Sequence, residues 1–207
     1  MRPHFRTDLL RAAGGWDPYN VTEDADLGIR LARLGLRCGT ITCPTWEEAP
    51  PVASIWLKQR TRWLKGWLQT VLVHSRNPLR TAWQLGATGT IFFHLTITAI
   101  VISMLIHPFF LAYLAWQVVY YLLPGGPDGD PLMLGVSLFN LVGGYTTYAF
   151  LAHGVHQRTG AQSSPFWLFT LPVYWLAISL AGWRAVYQLV FDPFRWEKTP
   201  HGLANPD

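Results

Sequence analysis

Three carboxylates stand close together in VTEDADLGIR, which covers residues 21–30. They are Glu23, Asp24 and Asp26, and they come just before a run whose leucines recur at helical spacing. Acids in a first helical turn interact well with the positive end of the helix dipole, and Thr22 or Asp24 can cap its free N–H groups. A positioned carboxylate can also take a proton from an attacking hydroxyl. From these residues alone, a helix cap and a catalytic base both remain open.

A second cluster of polar and aromatic side chains lies in residues 52–73, VASIWLKQRTRWLKGWLQTVLV. As a helix, this segment has tryptophans on one side and basic or amide groups on the other: Trp56, Trp63 and Trp67 against Lys58, Arg62, Lys65 and Gln69. The pattern predicts a helix in a membrane interface, with Lys65 on its lipid-facing basic side. Gln59, Arg62 and Trp63 stand at i, i+3 and i+4 and form one patch. A guanidinium neutralises phosphate oxygens and an indole stacks on a sugar ring, so the patch suits a sugar nucleotide.

The elements that must position these residues begin with residues 1–50, which we interpret as a fragment of a soluble α/β domain. We expect a helix over residues 7–13, a Gly-Gly turn, the helix after the acids, and a short strand near residues 37–42. About fifty residues cannot bury enough apolar surface to fold alone, so this fragment must pack on the membrane region or on a partner. We expect three further parts: an interfacial helix over residues 51–82, membrane helices over residues 83–192 and a cytoplasmic tail over residues 193–207.

The composition predicts an integral membrane protein, because half of the 207 residues are apolar and 11 are tryptophan. No charged residue occurs between residues 85 and 123, about twice the ~20 residues that cross a bilayer as a helix. Only basic charges flank this run on its N-terminal side, which places that flank in the cytoplasm. We expect both termini on the cytoplasmic side of an inner or plasma membrane and about four spans, near residues 87–106, 108–123, 131–151 and 165–190.

The segments GGWDPYNVTEDADLGIRLARLG, EEAP, QRTRW and FRWEKTPHG follow one another around the apolar runs. Together they resemble the C-terminal part of the cellulose-synthase-like, family 2 membrane glycosyltransferases, which carry T-E-D and Q-x-x-R-W motifs. The resemblance implies an α/β fragment of a GT-A-type catalytic domain followed by an α-helical transmembrane bundle. It implies transfer of a sugar from a nucleotide-diphosphate sugar to a glycan or lipid acceptor, with inversion. Membrane lipids are further implied partners, and nucleic acid is not one.

The resemblance also assigns roles to individual residues. Asp24 closes T-E-D and is implied as the base that takes the acceptor proton, while Thr22 and Glu23 shape the site. The Q-x-x-R-W residues are implied to lie near the donor diphosphate and the acceptor sugar: Gln59, Arg62 and Trp63.

Family members also hold a divalent metal, Mg or Mn, against the diphosphate with a D-x-D element upstream of T-E-D. No D-x-D precedes T-E-D here, and DAD at residues 24–26 belongs to the T-E-D helix start, so we expect no metal ligand in this chain. A missing N-terminal catalytic half would then supply the metal and donor site. The alternative is a non-catalytic membrane scaffold or pore module left from a truncated glycosyltransferase. A small transporter is disfavoured because the apolar runs hold no acid and only Arg184 as a fixed charge.

Overall fold

The computed structural model describes residues 4–39, 49–123, 130–159 and 169–197. Within these ranges the chain is mostly helical and contains no β-strand. The helices described there are α1 (Thr7–Ala12), α2 (Glu23–Arg33), α3 (Ala53–Ser75), α4 (Pro78–Phe93), α5 (Ala99–Leu122), α6 (Pro131–Thr159) and α7 (Leu171–Phe191), with a π-helical turn at His94–Thr98 between α4 and α5.

The helices around the acidic segment form where the sequence predicts them. After α1 the chain turns at Gly14 and Gly15, whose φ angles of 84° and 71° are rarely adopted by residues with a side chain. α2 is followed by Gly35 at a φ of 74°, the left-handed conformation in which glycine commonly ends a helix. One side of α2 is buried through Leu27 and Leu31, as the leucine spacing predicts.

The prediction of an α/β fragment in residues 1–50 is wrong for the part that the structure describes. Arg37, Cys38 and Gly39 lie in irregular backbone, and residues 40–42 of the expected strand lie outside the described residues. A strand is stable only where a neighbour pairs with its N–H and C=O groups, and the described ranges offer no such neighbour. α2 packs on the helices α3 and α4 instead.

The helix predicted over residues 52–73 is present as α3. It is followed closely by α4, which begins at Pro78, a residue suited to the first helical position because it lacks an N–H group. Asn77 caps this helix, since its side-chain oxygen accepts a hydrogen bond from the Arg80 N–H at 3.1 Å. The polar cap and the proline separate α3 sharply from the apolar run that follows.

The prediction of four spans is wrong. The described residues contain one helical stretch that is long and apolar enough to cross a membrane, Pro78–Leu122, and only 11% of its most apolar window is buried. α5 continues through His107 and Pro108, where the sequence suggested a division between two spans. α6 and α7 are long enough, but polar side chains within them lower their apolar character, foremost Asn140 in α6 and Arg184 and Gln188 in α7. The cytoplasmic placement of both termini stays a prediction.

The chain divides into two compact units, one formed by Met1–Leu105 with Leu180–Asp207 and the other by Ile106–Ser179. The first unit contains both motifs and residues 194–197 of the tail, which we call the FRWE segment. Its core includes Leu27 of α2 and Leu64 of α3, each no more than 5% exposed. The domain boundaries proposed from the sequence stay a prediction.

Candidate functional site

The segment that leads into T-E-D is clamped to one face of α3 by side-chain hydrogen bonds. The amide of Asn20 donates to the Thr70 hydroxyl at 3.1 Å. The backbone N–H of Val21 donates to Oε1 of Gln69 at 3.2 Å, and the Gln69 amide donates back to the carbonyl of Tyr19 at 3.3 Å. Backbone and side chain therefore hold this loop to two successive residues of α3.

Thr22 packs directly onto the backbone of α3 at Gly66. A Cβ atom built on Gly66 would lie 1.8 Å from the Thr22 hydroxyl oxygen and 2.6 Å from the Thr22 Cβ, distances that real Cβ atoms essentially never show. Only glycine therefore permits this approach. Thr22 is 8% exposed and occupies the residue before α2, but its side chain makes no capping hydrogen bond. Its role in the fold is contact with α3.

The three carboxylates of the T-E-D helix start lie in different environments. Asp26 is buried, with 2% of its surface exposed. Glu23 is half-buried and Asp24 is exposed. The Oδ1 atom of Asp24 accepts a hydrogen bond from the N–H of Ala25 at 2.9 Å. Of the two aspartates, only Asp24 is therefore open to an incoming substrate.

Asp26 is held by two partners in the interior. Arg30 donates to Oδ2 at 2.7 Å, and His74 of α3 donates from Nε2 to Oδ1 at 3.0 Å. Burial alone would raise the pKa of the Asp26 carboxyl, but the hydrogen bond from His74 and the charge of Arg30 outweigh it and lower the pKa. Arg30 also donates to the carbonyl of Ala13 at 2.8 Å. Asp26 therefore serves to tie α2 to α3 and to the loop before it.

The Q-x-x-R-W residues lie on the part of α3 that precedes Gly66. Gln59, Arg62, Gly66 and Thr70 are spaced by three, four and four residues, so they share one helical face. Arg62 lies one turn before Gly66, about 6 Å along the helix axis at ~1.5 Å per residue. The structure thus brings Thr22, the first residue of T-E-D, to the face of α3 that carries Gln59 and Arg62.

The acidic residues of T-E-D and the Q-x-x-R-W residues are not joined by polar contacts in the described ranges. Within the described residues, Glu23 and Asp24 make no hydrogen bond or ion pair with Gln59, Arg62 or Trp63. Neither carboxylate is therefore engaged by a polar group of the Q-x-x-R-W residues in the described part of the chain.

The two arginines of the QRTRW segment each meet a tryptophan ring. The guanidinium carbon of Arg62 lies 5.8 Å from the ring centroid of Trp196, and that of Arg60 lies 4.5 Å from the ring centroid of Trp63. One face of Trp63, which the sequence suggested for sugar stacking, is thus approached by an arginine. Among the described residues, the buried Nε atoms of Arg60 and Arg62 have no hydrogen-bond partner.

Lys65 does not lie on a lipid-facing side, which corrects the sequence prediction. Its side chain is fully buried and donates to the carbonyls of Asp192 at 2.9 Å and Arg195 at 3.1 Å. Burial lowers the pKa of the Lys65 ammonium, although the carboxylates of Asp192 and Glu197 oppose the shift. Lys65 therefore anchors the FRWE segment on α3.

The FRWE segment is held at two further points. The carboxylate of Glu197 accepts two hydrogen bonds from Arg184 of α7, at 2.7 and 2.5 Å, and these bonds lower the pKa of Glu197. The ring of Phe194 meets Tyr19 edge to face, with centroids 5.9 Å apart. The tail motif is visible in the sequence, but the roles of Lys65 and Trp196 are not, since nothing local marks a lysine in a basic helix as buried.

The described residues do not fit a divalent metal site. No group of three or more His, Cys, Asp or Glu side chains comes together there in a way that could hold a metal ion. The divalent ion implied by the resemblance stays a prediction for a longer enzyme.

The chain is similar to known glycosyltransferases over part of its length. The profile of the glycosyl transferase family group 2 matches residues 4–126. A probable glycosyltransferase, YdaM, of Bacillus subtilis is 37% identical over 63 residues, which are 30% of this chain and 15% of that protein. A beta-monoglucosyldiacylglycerol synthase of Synechocystis is 38% identical over 68 residues, which are 32% of this chain and 14% of that protein. The matches thus span only a small part of each curated relative's length. No solved structure matches the chain.

Proposed function

Because this chain belongs to the glycosyl transferase family group 2, we propose that it forms the acceptor side and membrane part of an inverting glycosyltransferase. In this proposal a sugar passes from a nucleotide-diphosphate sugar to a hydroxyl group of a polysaccharide or lipid. The family assignment supports glycosyl transfer in general, and the roles of individual residues below are our proposals.

The observation that carries the proposal is the contact of Thr22 with Gly66. It holds the T-E-D segment on the face of α3 that also carries Gln59 and Arg62. A sugar transfer needs a base beside the acceptor hydroxyl and cationic donors beside the leaving diphosphate. Two motifs on one helix face satisfy that requirement without any long-range movement.

Asp24 is the residue that we propose as the base. The attacking hydroxyl must lose its proton as the new glycosidic bond forms, and a positioned carboxylate typically contributes ~10²–10⁴ in rate. Asp24 is exposed, whereas both oxygens of Asp26 are already engaged by Arg30 and His74. Thr22 fixes the start of the helix, and Glu23 lines the acceptor side.

Arg62 is the residue that we propose for the donor diphosphate. A buried N–H without a partner is unfavourable by about 1–3 kcal/mol, and an anionic oxygen would relieve that cost. The Nε atom of Arg62 is such a group. Gln59 lies one turn earlier on the same face and adds an amide, and Trp63 adds an aromatic wall for the sugar.

The acceptor is the least specified part of the proposal. The name of the Synechocystis relative specifies a glucosylated diacylglycerol as its product. The apolar stretch Pro78–Leu122 begins three residues after α3 ends, so the proposed site would lie close to lipid. We therefore propose that a lipid acceptor be tested before a polysaccharide.

The decisive experiment is the Asp24→Asn variant of the membrane-embedded enzyme. Release of UDP from UDP-glucose, in vesicles with and without diacylglycerol, should fall by ~10²–10⁴ while the KM for UDP-glucose changes little. The matched control is Asp8→Asn, since Asp8 is also an exposed aspartate in a first helical turn. Turnover of Asp24→Asn within a few-fold of the Asp8→Asn value would show that Asp24 is only part of a helix start.

A further inference from the structure

A buried chain of hydrogen bonds connects α2 and α3 behind the proposed site. Arg33 of α2 donates from a guanidinium NH₂ group to Nδ1 of His74 at 2.8 Å, and His74 in turn contacts Asp26 at 3.0 Å. Asp26 and His74 are each 2% exposed. The proposed reaction gives neither residue a role, because both oxygens of Asp26 are engaged and His74 lies buried near the end of α3, two turns beyond Gly66.

The protonation of His74 follows from its partners. A guanidinium has donors only, so the Nδ1 atom that faces Arg33 must carry a lone pair. The proton of a neutral imidazole then lies on Nε2, where it is donated to the Asp26 carboxylate. Arg30 supplies the remaining charge at this cluster by binding the other Asp26 oxygen. The hydrogen bond from Arg33 to Nδ1 and the hydrogen bond from Nε2 to Asp26 are therefore both satisfied by a neutral His74.

Two contacts define how α2 lies on α3. Thr22 meets Gly66, and Asp26, one turn later on α2, meets His74, which lies two turns after Gly66 on α3. Two points fix both the position and the crossing direction of a helix on its neighbour. Asp24 lies between these two contacts in the sequence, so its backbone is held from both sides.

We propose that the chain Asp26–His74–Arg33 is a positioning device that sets the place of Asp24 relative to the α3 face. This inference rests on the function proposed above. Proton transfer requires reacting atoms about 3–3.5 Å apart, and a displacement of about 1 Å costs ~10² in rate. Loss of the His74 contacts leaves α2 fastened to α3 only through Thr22 and the loop that precedes it, and to α4 through the hydrogen bond from Arg33 to Gln84 at 2.8 Å. We expect Asp24 to shift relative to the donor groups on α3 as a result.

The test compares His74→Leu, which removes both hydrogen bonds, with His74→Gln. The amide of glutamine can donate to Asp26 and its carbonyl can accept from Arg33, so this variant preserves the chain. We expect His74→Leu to lower kcat for UDP release from UDP-glucose by ~10–100-fold, with the KM for UDP-glucose within threefold of wild type. We expect the kcat of His74→Gln to lie within a few-fold of the wild-type value. His153→Leu, at an exposed histidine of α6, is the control for general effects of the substitution.

A wild-type kcat in His74→Leu would overturn the inference, as would equal losses in His74→Leu and His74→Gln. Should His74→Leu fail to accumulate in membranes, Arg33→Met carries the test, because it removes one of the two hydrogen bonds that hold His74 to α2 without leaving Asp26 unpaired. Gln84→Met is its control, since Arg33 also donates to Gln84 of α4 at 2.8 Å. Arg33→Met should lower kcat at unchanged KM, and an unchanged kcat would contradict the proposal. Asp24→Asn separates the two proposals: if it is inactive while the His74 and Arg33 variants are normal, only the positioning role fails.

Discussion

The close approach of Thr22 to Gly66 makes Gly66→Ala a direct test of how the two motifs are assembled. The new methyl group would lie 1.8 Å from the Thr22 oxygen, whereas ordinary contact begins at 3.4 Å, so Thr22 must move by roughly 1.6 Å. Since about 1 Å of misplacement costs ~10² in rate, UDP release from UDP-glucose should fall at least ~10²-fold. Overpacking should also destabilise the fold by about 1–3 kcal/mol, partly offset by the ~1 kcal/mol gain in helix propensity from glycine to alanine.

The matched control is Gly28→Ala on α2, because a Cβ on Gly28 meets no atom within 4 Å. This variant gains the same helix propensity without the collision, so it should be at least as stable as wild type and fully active. Thr22→Ala removes the hydroxyl at 1.8 Å and the methyl group at 2.8 Å and leaves the Cβ atom at 2.6 Å as the remaining collision. Thr22→Ala/Gly66→Ala should therefore lose less activity than the product of the single losses. Turnover and thermal unfolding of Gly66→Ala that match Gly28→Ala would refute the proposed contact.

Two further predictions concern the buried charged groups. Lys65→Met should release residues 192–197 and so raise the amide hydrogen exchange of that segment. Lys58→Met, on the exposed side of α3, should leave this exchange unchanged. Equal exchange in both variants would show that Lys65 is not the anchor. Burial raises the pKa of Asp26, but its partners lower it by more, so the pKa in the folded protein lies below the ordinary 3.8. The contribution of Asp26 to stability is therefore complete above about pH 4 and is lost as the pH falls through the folded pKa. The difference in melting temperature between wild type and Asp26→Asn should therefore shrink below pH 4, and a constant difference down to pH 3 would contradict it.

The local elements and the family can be predicted from short stretches of the chain. Glycines at positive φ, the asparagine and proline at the start of α4, and the leucine spacing of α2 act through neighbours within a few residues, so they are visible in the chain. T-E-D and Q-x-x-R-W are likewise contiguous, and the family profile covers both. The predictions of the strand and of four spans were wrong for two reasons. A strand needs a pairing partner from elsewhere in the fold, and a span needs apolar character along its whole length.

The burial of individual charged residues depends on contacts between helices that are distant in the sequence. Asp24 and Asp26 look alike in the sequence, yet Asp26 is buried by a histidine 48 positions away, which leaves Asp24 as the exposed acid. Lys65 resembles its basic neighbours, yet its partners are carbonyls 127 and 130 positions away. Burial of a charge depends on whether distant groups supply its hydrogen bonds, and that supply exists only once the helices have packed.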